Sequence, residues 1–293
     1  MLSIVECPVC SSKNFKYFLD CKDYTVSHKT FTIVECNSCG FKFTNPRPAD
    51  TDLGAYYKSE DYISHSNTSK GIISKLYHLV RNYTLSQKEA LLRKYVSRGT
   101  MLDFGCGTGM FLKTCHDKGW KVIGMEPDAG ARKIGVDMGL IIKENKSQLE
   151  PEIVDGSLNA ISLWHVLEHV TDLKETLEFF QRKLDQKGVL FIALPNYNSA
   201  DAQHYGPYWA AYDVPRHLYH FDISTVSFLL SKHGFKLIDT APMKFDSYYV
   251  SMLSEQYKNG SPAHLKAFLQ GLKSNLKAKQ AKDYSSVIYV FSK

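Results

Sequence analysis

From Leu102 the chain reads Leu-Asp-Phe-Gly-Cys-Gly-Thr-Gly, an apolar segment that ends in an acid and then meets three glycines spaced by two. Few structures satisfy such a run. A buried strand must turn sharply through the glycines, whose missing side chains let a ligand lie against main-chain atoms, and a helix must follow with its free N–H groups facing that ligand. A dinucleotide-binding turn needs its third glycine at position 110, where Met110 stands, so a nicotinamide cofactor is disfavoured. The next apolar segment, Lys121 to Glu126, ends in a carboxylate suited to gripping a ribose diol.

Beyond Thr100, strands near 100–104, 121–126, 158–164 and 188–194 alternate with helices near 109–118, 128–138 and 172–185. A helix near 223–233, a strand near 235–241, helical material around 246–280 and a closing strand at 285–291 complete the chain. This alternation predicts an α/β, doubly wound Rossmann-like sheet. A helix over about 71–97 precedes it, on the spacing of Ile72, Leu76, Leu79, Val80 and Tyr83. With 293 residues, 44% hydrophobic, the chain can bury one sizeable core and carry a small appendage. No apolar run reaches the ~20 residues of a membrane span and no secretory leader is visible, so a cytoplasmic protein without stable membrane insertion is expected. The net charge of +6 is spread along the chain and does not call for nucleic acid.

Four of the seven cysteines form two C-x-x-C knuckles, Cys7/Cys10 and Cys36/Cys39. Two such knuckles can close a tetrahedron around a structural Zn2+, with iron or a redox pair as alternatives. Short strands at Phe15–Phe18 and Thr30–Val34 would make the segment a zinc ribbon too small to hold without its ion. Cys21, Cys106 and Cys115 read as buried apolar thiols. Asn45 to Pro48 reads as a stiff linker. Tyr56, Tyr57, Tyr62 and His65 after it suit either a lid over the cofactor or plain packing. The expected organisation is a ribbon at 1–48, a helical lid and linker at 49–98, and a catalytic domain at 99–293 with insertions at 196–222 and 245–282.

Asp103, Gly105, Gly107 and Gly109 match D-x-G-x-G-x-G, and the chain thereby resembles the class I S-adenosylmethionine-dependent methyltransferases over roughly residues 95–293. The resemblance implies a seven-stranded sheet with its last strand antiparallel. It also implies a cofactor site formed by Asp103, Gly105, Cys106, Gly107, Gly109, Glu126, Pro127, Trp164 and His165. With a ribbon in front, the chain looks like a bacterial group that includes sugar C-methyltransferases, although no counterpart of their further C-terminal domain is expected within these 293 residues. Residues 163–166, Leu-Trp-His-Val, stand where base and glutamine N-methylating enzymes carry N-P-P-Y, which disfavours that chemistry.

His165, Glu168 and His169 would project to one side of a helical turn, a spacing compatible with a divalent metal. Some related methyltransferases bind a metal there through E-x-x-E-H, while cofactor packing is the favoured role. The segment from His204 to Phe221 carries six aromatic residues and three histidines in eighteen residues, a density that suits a pocket wall. Its His-Leu-Tyr-His-Phe portion resembles the sugar C-methyltransferases' H-F-x-Y-F-like stretch, which implies a base at His217. Asp213 or His220 is expected to orient it, His169 to join the catalytic group, and Arg216 to hold an anionic part of the acceptor. Lysines 266, 273, 277, 279 and 282, interleaved with Leu265, Phe268, Leu269, Leu272 and Leu276, predict an amphipathic helix covering the sheet with its lysines in water.

The reading is a methyltransferase acting at oxygen or carbon of a small-molecule or carrier-linked sugar acceptor. The alternative is an RNA methyltransferase that grips RNA through its ribbon. Lysines and acids nearly cancel within the ribbon, so nucleic acid is disfavoured.

Overall fold

The structure is a computed structural model that describes residues 1–57 and 72–293, with side chains described outside 58–79. Tyr62 and His65 of the expected lid lie outside the described residues. The N-terminal segment forms β1 (Phe15–Lys22), β2 (Thr30–Cys36) and β3 (Lys42–Thr44), an antiparallel meander. Its fourth strand comes from far along the chain: β9 (Tyr219–His220) pairs with β3, Phe43 opposite Tyr219. The segment expected as a linker is bound into this layer, because Leu2 and Arg47 exchange backbone hydrogen bonds and Asn45 bonds both polar atoms of the Ile4 backbone.

The central sheet contains β4 (Thr100–Phe104), β5 (Lys121–Met125), β6 (Ile142–Lys143), β7 (Leu158–Trp164), β8 (Leu184–Pro195), β10 (Lys236–Pro242) and β11 (Ser286–Ser292). The order is β10-β11-β8-β7-β4-β5-β6, and only β11 runs against its neighbours, as expected for this fold. Near-continuous burial of β7 and β8 reflects helices on both faces of a parallel core. Those helices are α1 (Ile72–Tyr95), α2 (Met110–Asp117), α3 (Ala129–Asp137), α4 (Leu173–Lys183) and α5 (Ile223–Ser231). Caps set where two of them begin: Asp172 accepts from Glu175 N, and Asp222 forms a capping box with Thr225.

Two further helices, α6 (Asp246–Asn259) and α7 (His264–Ala281), pack together before β11. Here the sequence expectation is overturned. The face that α7 buries is Ala267, Gly271, Ser274, Asn275 and Ala278, whereas Leu265, Phe268, Leu269, Leu272 and Leu276 are exposed, Leu265 at 74%. Small residues let α7 approach α6 so closely that a Cβ at Gly271 would sit 2.9 Å from the Tyr248 Cα, and the leucine stripe is left outside. Among the described residues no helix is long and apolar enough to cross a membrane.

Candidate active site

At the carboxyl end of β4 the chain turns through the glycine run, and Gly105 and Cys106 both donate their N–H groups to the Met125 carbonyl. Gly105 has φ +74°, and a Cβ there would meet Val166 Cγ2 at 2.5 Å, so this glycine serves the packing of the turn. Gly107 differs. Its φ is +55°, yet a Cβ there would meet nothing within 4 Å, so the space above this main chain is open. Gly109 caps α2, whose N-terminus follows directly. The turn is thus an open main-chain cradle at a helix start, the requirement for a nucleoside ligand to lie close.

Glu126, at the tip of β5, turns toward this cradle, its Oε2 accepting from Gly107 N at 2.8 Å and its Oε1 from Asp128 N at 2.9 Å. Each oxygen keeps a lone pair for a ribose hydroxyl. Burial raises the Glu126 pKa above the usual carboxylate range, against the pull of those two N–H donors. Pro127 follows at the surface, its carbonyl bonded by Arg132. Cys106 is half-buried beside Gly124, where a Cβ would lie 2.7 Å from its sulfur. Asp103 is fully buried, accepts from Ser162 Oγ at 2.6 Å, and is pushed up to about 7 by that burial.

The other side of the crevice is formed at the end of β7. Trp164 packs edge-on against Phe111, ring centroids 5.1 Å apart, with Lys88 Nζ 4.2 Å above its ring. Its indole Nε1 is buried with no hydrogen-bond partner among the described residues. Burial lowers the Lys88 pKa, while Asp246 and Asp103 act against it. His165 takes a left-handed backbone, φ +58°, and does not share a helical turn face with its neighbours. Residues 167–169 are a 3-10 turn, and His165 instead places Nε2 3.1 Å from Asp246 of α6. Burial alone would lower the His165 pKa; the carboxylates of Asp246 and Glu168 overcome it and raise the group to about 9. Lys88 and Asp246 were not singled out by sequence reasoning, since nothing in the pattern of α1 or α6 distinguishes them from other charged helix residues.

The aromatic insertion folds against both β-layers and brings His217 to His169, their rings edge-on with centroids 4.6 Å apart. His217 Nδ1 lies 2.9 Å from the Ala211 carbonyl, which can only accept, so Nδ1 carries the proton and Nε2 the lone pair. Burial, with His169 beside it, holds the His217 pKa well below its ordinary value, so the ring is neutral. The His169 Nδ1–H is shared between the Arg216 carbonyl at 3.0 Å and the Tyr57 hydroxyl oxygen at 2.9 Å. Tyr57, read as part of a lid, therefore reaches this group.

Three expected roles change. Asp213 does not orient His217: its carboxylate grips the Arg216 guanidinium through Nε and Nη2, and its Oδ2 is 3.9 Å from His217 Nε2. Arg216 is committed to protein groups, bonding Asp213, Asp23 and the Tyr56 carbonyl while fully buried, so it clasps ribbon to insertion instead of holding an acceptor anion. His220 faces Thr44 Oγ1 at 3.2 Å and the Tyr212 ring, with burial pushing its pKa down to about 3.

The four knuckle cysteines converge, Cys7 Sγ lying 3.6 Å from Cys39 Sγ and Cys10 Sγ 3.5 Å from Cys36 Sγ. These separations are close to the roughly 3.8 Å edge of a tetrahedron with 2.3 Å metal–sulfur bonds, so the thiols could hold a metal.

Comparison with known proteins agrees with this fold. A family model described as "Methyltransferase domain" matches residues 78–240, over half of the chain. No curated protein sequence matches significantly. Among solved structures, the [4+2]-cyclase SpnF is similar with a TM-score of 0.50 at 17% identity, over 71% of this chain and 80% of that one. An S-adenosylmethionine-dependent methyltransferase from Archaeoglobus fulgidus gives 0.47 at 19% identity, over 71% and 94%. Phosphoethanolamine N-methyltransferase 2 of Haemonchus contortus gives 0.47 at 16%, over 71% of this chain, which spans about half (52%) of that protein. The likeness to SpnF, at 17% identity, is one of fold. With its family model, its strand order and its glycine cradle in agreement, the chain belongs to the methyltransferase-domain family of class I S-adenosylmethionine-dependent methyltransferases.

Proposed function

We propose that the protein methylates a small-molecule or carrier-linked sugar acceptor at oxygen or carbon, with a structural Zn2+ held by Cys7, Cys10, Cys36 and Cys39. When bound, S-adenosylmethionine supplies an electrophilic methyl group on a sulfonium. Gly105, Cys106, Gly107 and Gly109 with Glu126 would hold its nucleoside, and the positive charges of Lys88 and His165 beside Trp164 suit its amino-acid carboxylate. The observation that carries the reading is the open space over Gly107 with the Glu126 carboxylate aimed at it. On the acceptor side stand His217, with its Nε2 lone pair available, and His169. Aligning the acceptor and removing its proton are the tasks left to such an enzyme.

The surroundings of this cluster favour a compact acceptor over RNA. His217 shares a cavity wall with Tyr197, Trp209, Ala211, Tyr219 and Phe221, and three of the five ribbon lysines sit against acids, Lys13 against Glu6 and both Lys16 and Lys42 against Glu35. The test is transfer of label from methyl-tritiated S-adenosylmethionine to a panel of nucleotide-linked sugars, free sugars and RNA. Labelling of a sugar acceptor that disappears in His217→Asn is expected. Labelling of RNA alone would contradict the proposal.

A further inference from the structure

Glu168 is buried at 1% exposure between the cofactor crevice and the aromatic insertion, and among the described residues neither of its carboxylate oxygens has a hydrogen-bond partner. A buried carboxylate left in this way is costly unless a positive charge meets it. His165 meets Oε1 at ion-pair distance, 3.5 Å, but its other nitrogen lies 3.1 Å from Asp246, so one imidazole serves two carboxylates. Among the described residues the other oxygen, Oε2, has no donor.

His169 and His217 each offer a ligand atom such that these and a Glu168 oxygen all lie within 4.8 Å of one another. The two imidazoles come from segments that the sequence does not link, one from the turn after β7 and one from the insertion. Both are set in the way that ligating histidines are set: Nδ1–H is spent on a backbone carbonyl, Arg216 for His169 and Ala211 for His217, which fixes the ring and leaves Nε2 as the lone-pair nitrogen. His217 Nε2 is 4.0 Å from Glu168 Oε1, too far for a hydrogen bond and close enough for one ion to touch both.

We infer that Glu168, His169 and His217 hold a divalent first-row transition-metal ion, at a site separate from the four-cysteine cluster. Two imidazoles and a carboxylate form a donor set for Fe2+, Mn2+, Co2+ or Zn2+ that leaves coordination positions open for an acceptor oxygen. The set differs from the one the sequence spacing suggests, because His165 is turned to Asp246 and His217 takes its place. The role of the ion rests on the methyl-transfer reading: with the metal in place the His217 lone pair is committed to it, and polarising the acceptor passes to the cation.

Full-length protein with its thiolate site filled with zinc is titrated with Co2+, followed by visible absorption and calorimetry. One further equivalent is expected, with ligand-field bands and no thiolate charge-transfer band, bound at least ~10-fold more weakly in Glu168→Gln and in His217→Gln. If Glu168→Gln does not fold, judged by circular dichroism and zinc content, His169→Gln at the half-buried position carries the same test. Cobalt that enters only with thiolate bands, or that binds Glu168→Gln as tightly as the parent, overturns the assignment. S-Adenosylhomocysteine binding by the same preparations reports on the cofactor separately: cobalt uptake without nucleoside binding removes the methyl-transfer reading and leaves the metal site standing.

Discussion

Asp23, in the turn between β1 and β2, lies 3.3 Å from Nη2 of Arg216 in the aromatic insertion, and both side chains are fully buried. The same Arg216 offers its carbonyl to His169 and is chelated by Asp213, so the ribbon, the insertion and the histidine pair are held by one residue. Arg216→Met would leave two carboxylates without their cation. A buried pair broken on one side costs about 3–5 kcal/mol. Urea unfolding is expected to show a loss of that size, with weaker methyl transfer in the protein that remains folded.

Asp23 also carries a pH signature. Hydrogen bonds from Ser27 and Thr25 and the charge of Arg216 outweigh burial and lower its pKa to about 2, from a usual value near 3.9. A lowered carboxylate contributes stability above its unfolded pKa and loses it as pH falls through the folded one. Between about pH 4 and pH 2 the wild-type protein should therefore lose stability more steeply than Asp23→Asn, measured by denaturant midpoints across that range.

Asp103 works in the opposite sense. Burial raises it to about 7, so ionising it costs stability, a cost that begins above the unfolded pKa and is complete above pH 7. Asp103→Asn keeps an acceptor for Ser162 and should stabilise the fold at pH 8 by roughly 1–3 kcal/mol, with little gain at pH 4. Thermal melts at the two pH values check it.

Two glycines separated by a single residue, Gly105 and Gly107, should respond differently to substitution. Gly105→Ala drives a methyl into Val166 and is expected to destabilise the protein, partly rescued by Val166→Ala. Gly107→Val meets no protein atom at its Cβ. It should fold, at the cost of its left-handed backbone, and bind S-adenosylhomocysteine at least ~10-fold more weakly by calorimetry.

Disrupting the proposed metal site at Cys7, Cys10, Cys36 and Cys39 tests how far the N-terminal layer supports the histidine pair. Because β3 pairs with β9, Cys36→Ser or a chelator should raise amide exchange at Tyr219 and His220 as well as in the ribbon, read by exchange mass spectrometry.

The alternation of central strands and helices is legible in the sequence because each element is long enough to show its period, and the glycine turn because its spacing is sterically demanding. The pairing of β3 with β9 is not, since Phe43 and Tyr219 meet through strands of three and two residues. The outward leucine stripe of α7 escapes for another reason: periodicity shows that a helix has two faces, and only the small residues opposite the leucines reveal which one packs. Arg216 looks like a ligand for anions until Asp23, Asp213 and the Tyr56 carbonyl are found around it. Lys88 and Asp246 gain meaning only from the fold that carries them to Trp164 and His165.

The most direct measurement is a crystal structure of the protein with S-adenosylhomocysteine. The ribose hydroxyls are expected within hydrogen-bond distance of the Glu126 carboxylate, with the nucleoside against Gly107 and the sulfur on the side of Trp164 and His169. A nucleoside bound elsewhere, or a Glu126 carboxylate that makes no contact with it, would contradict the account.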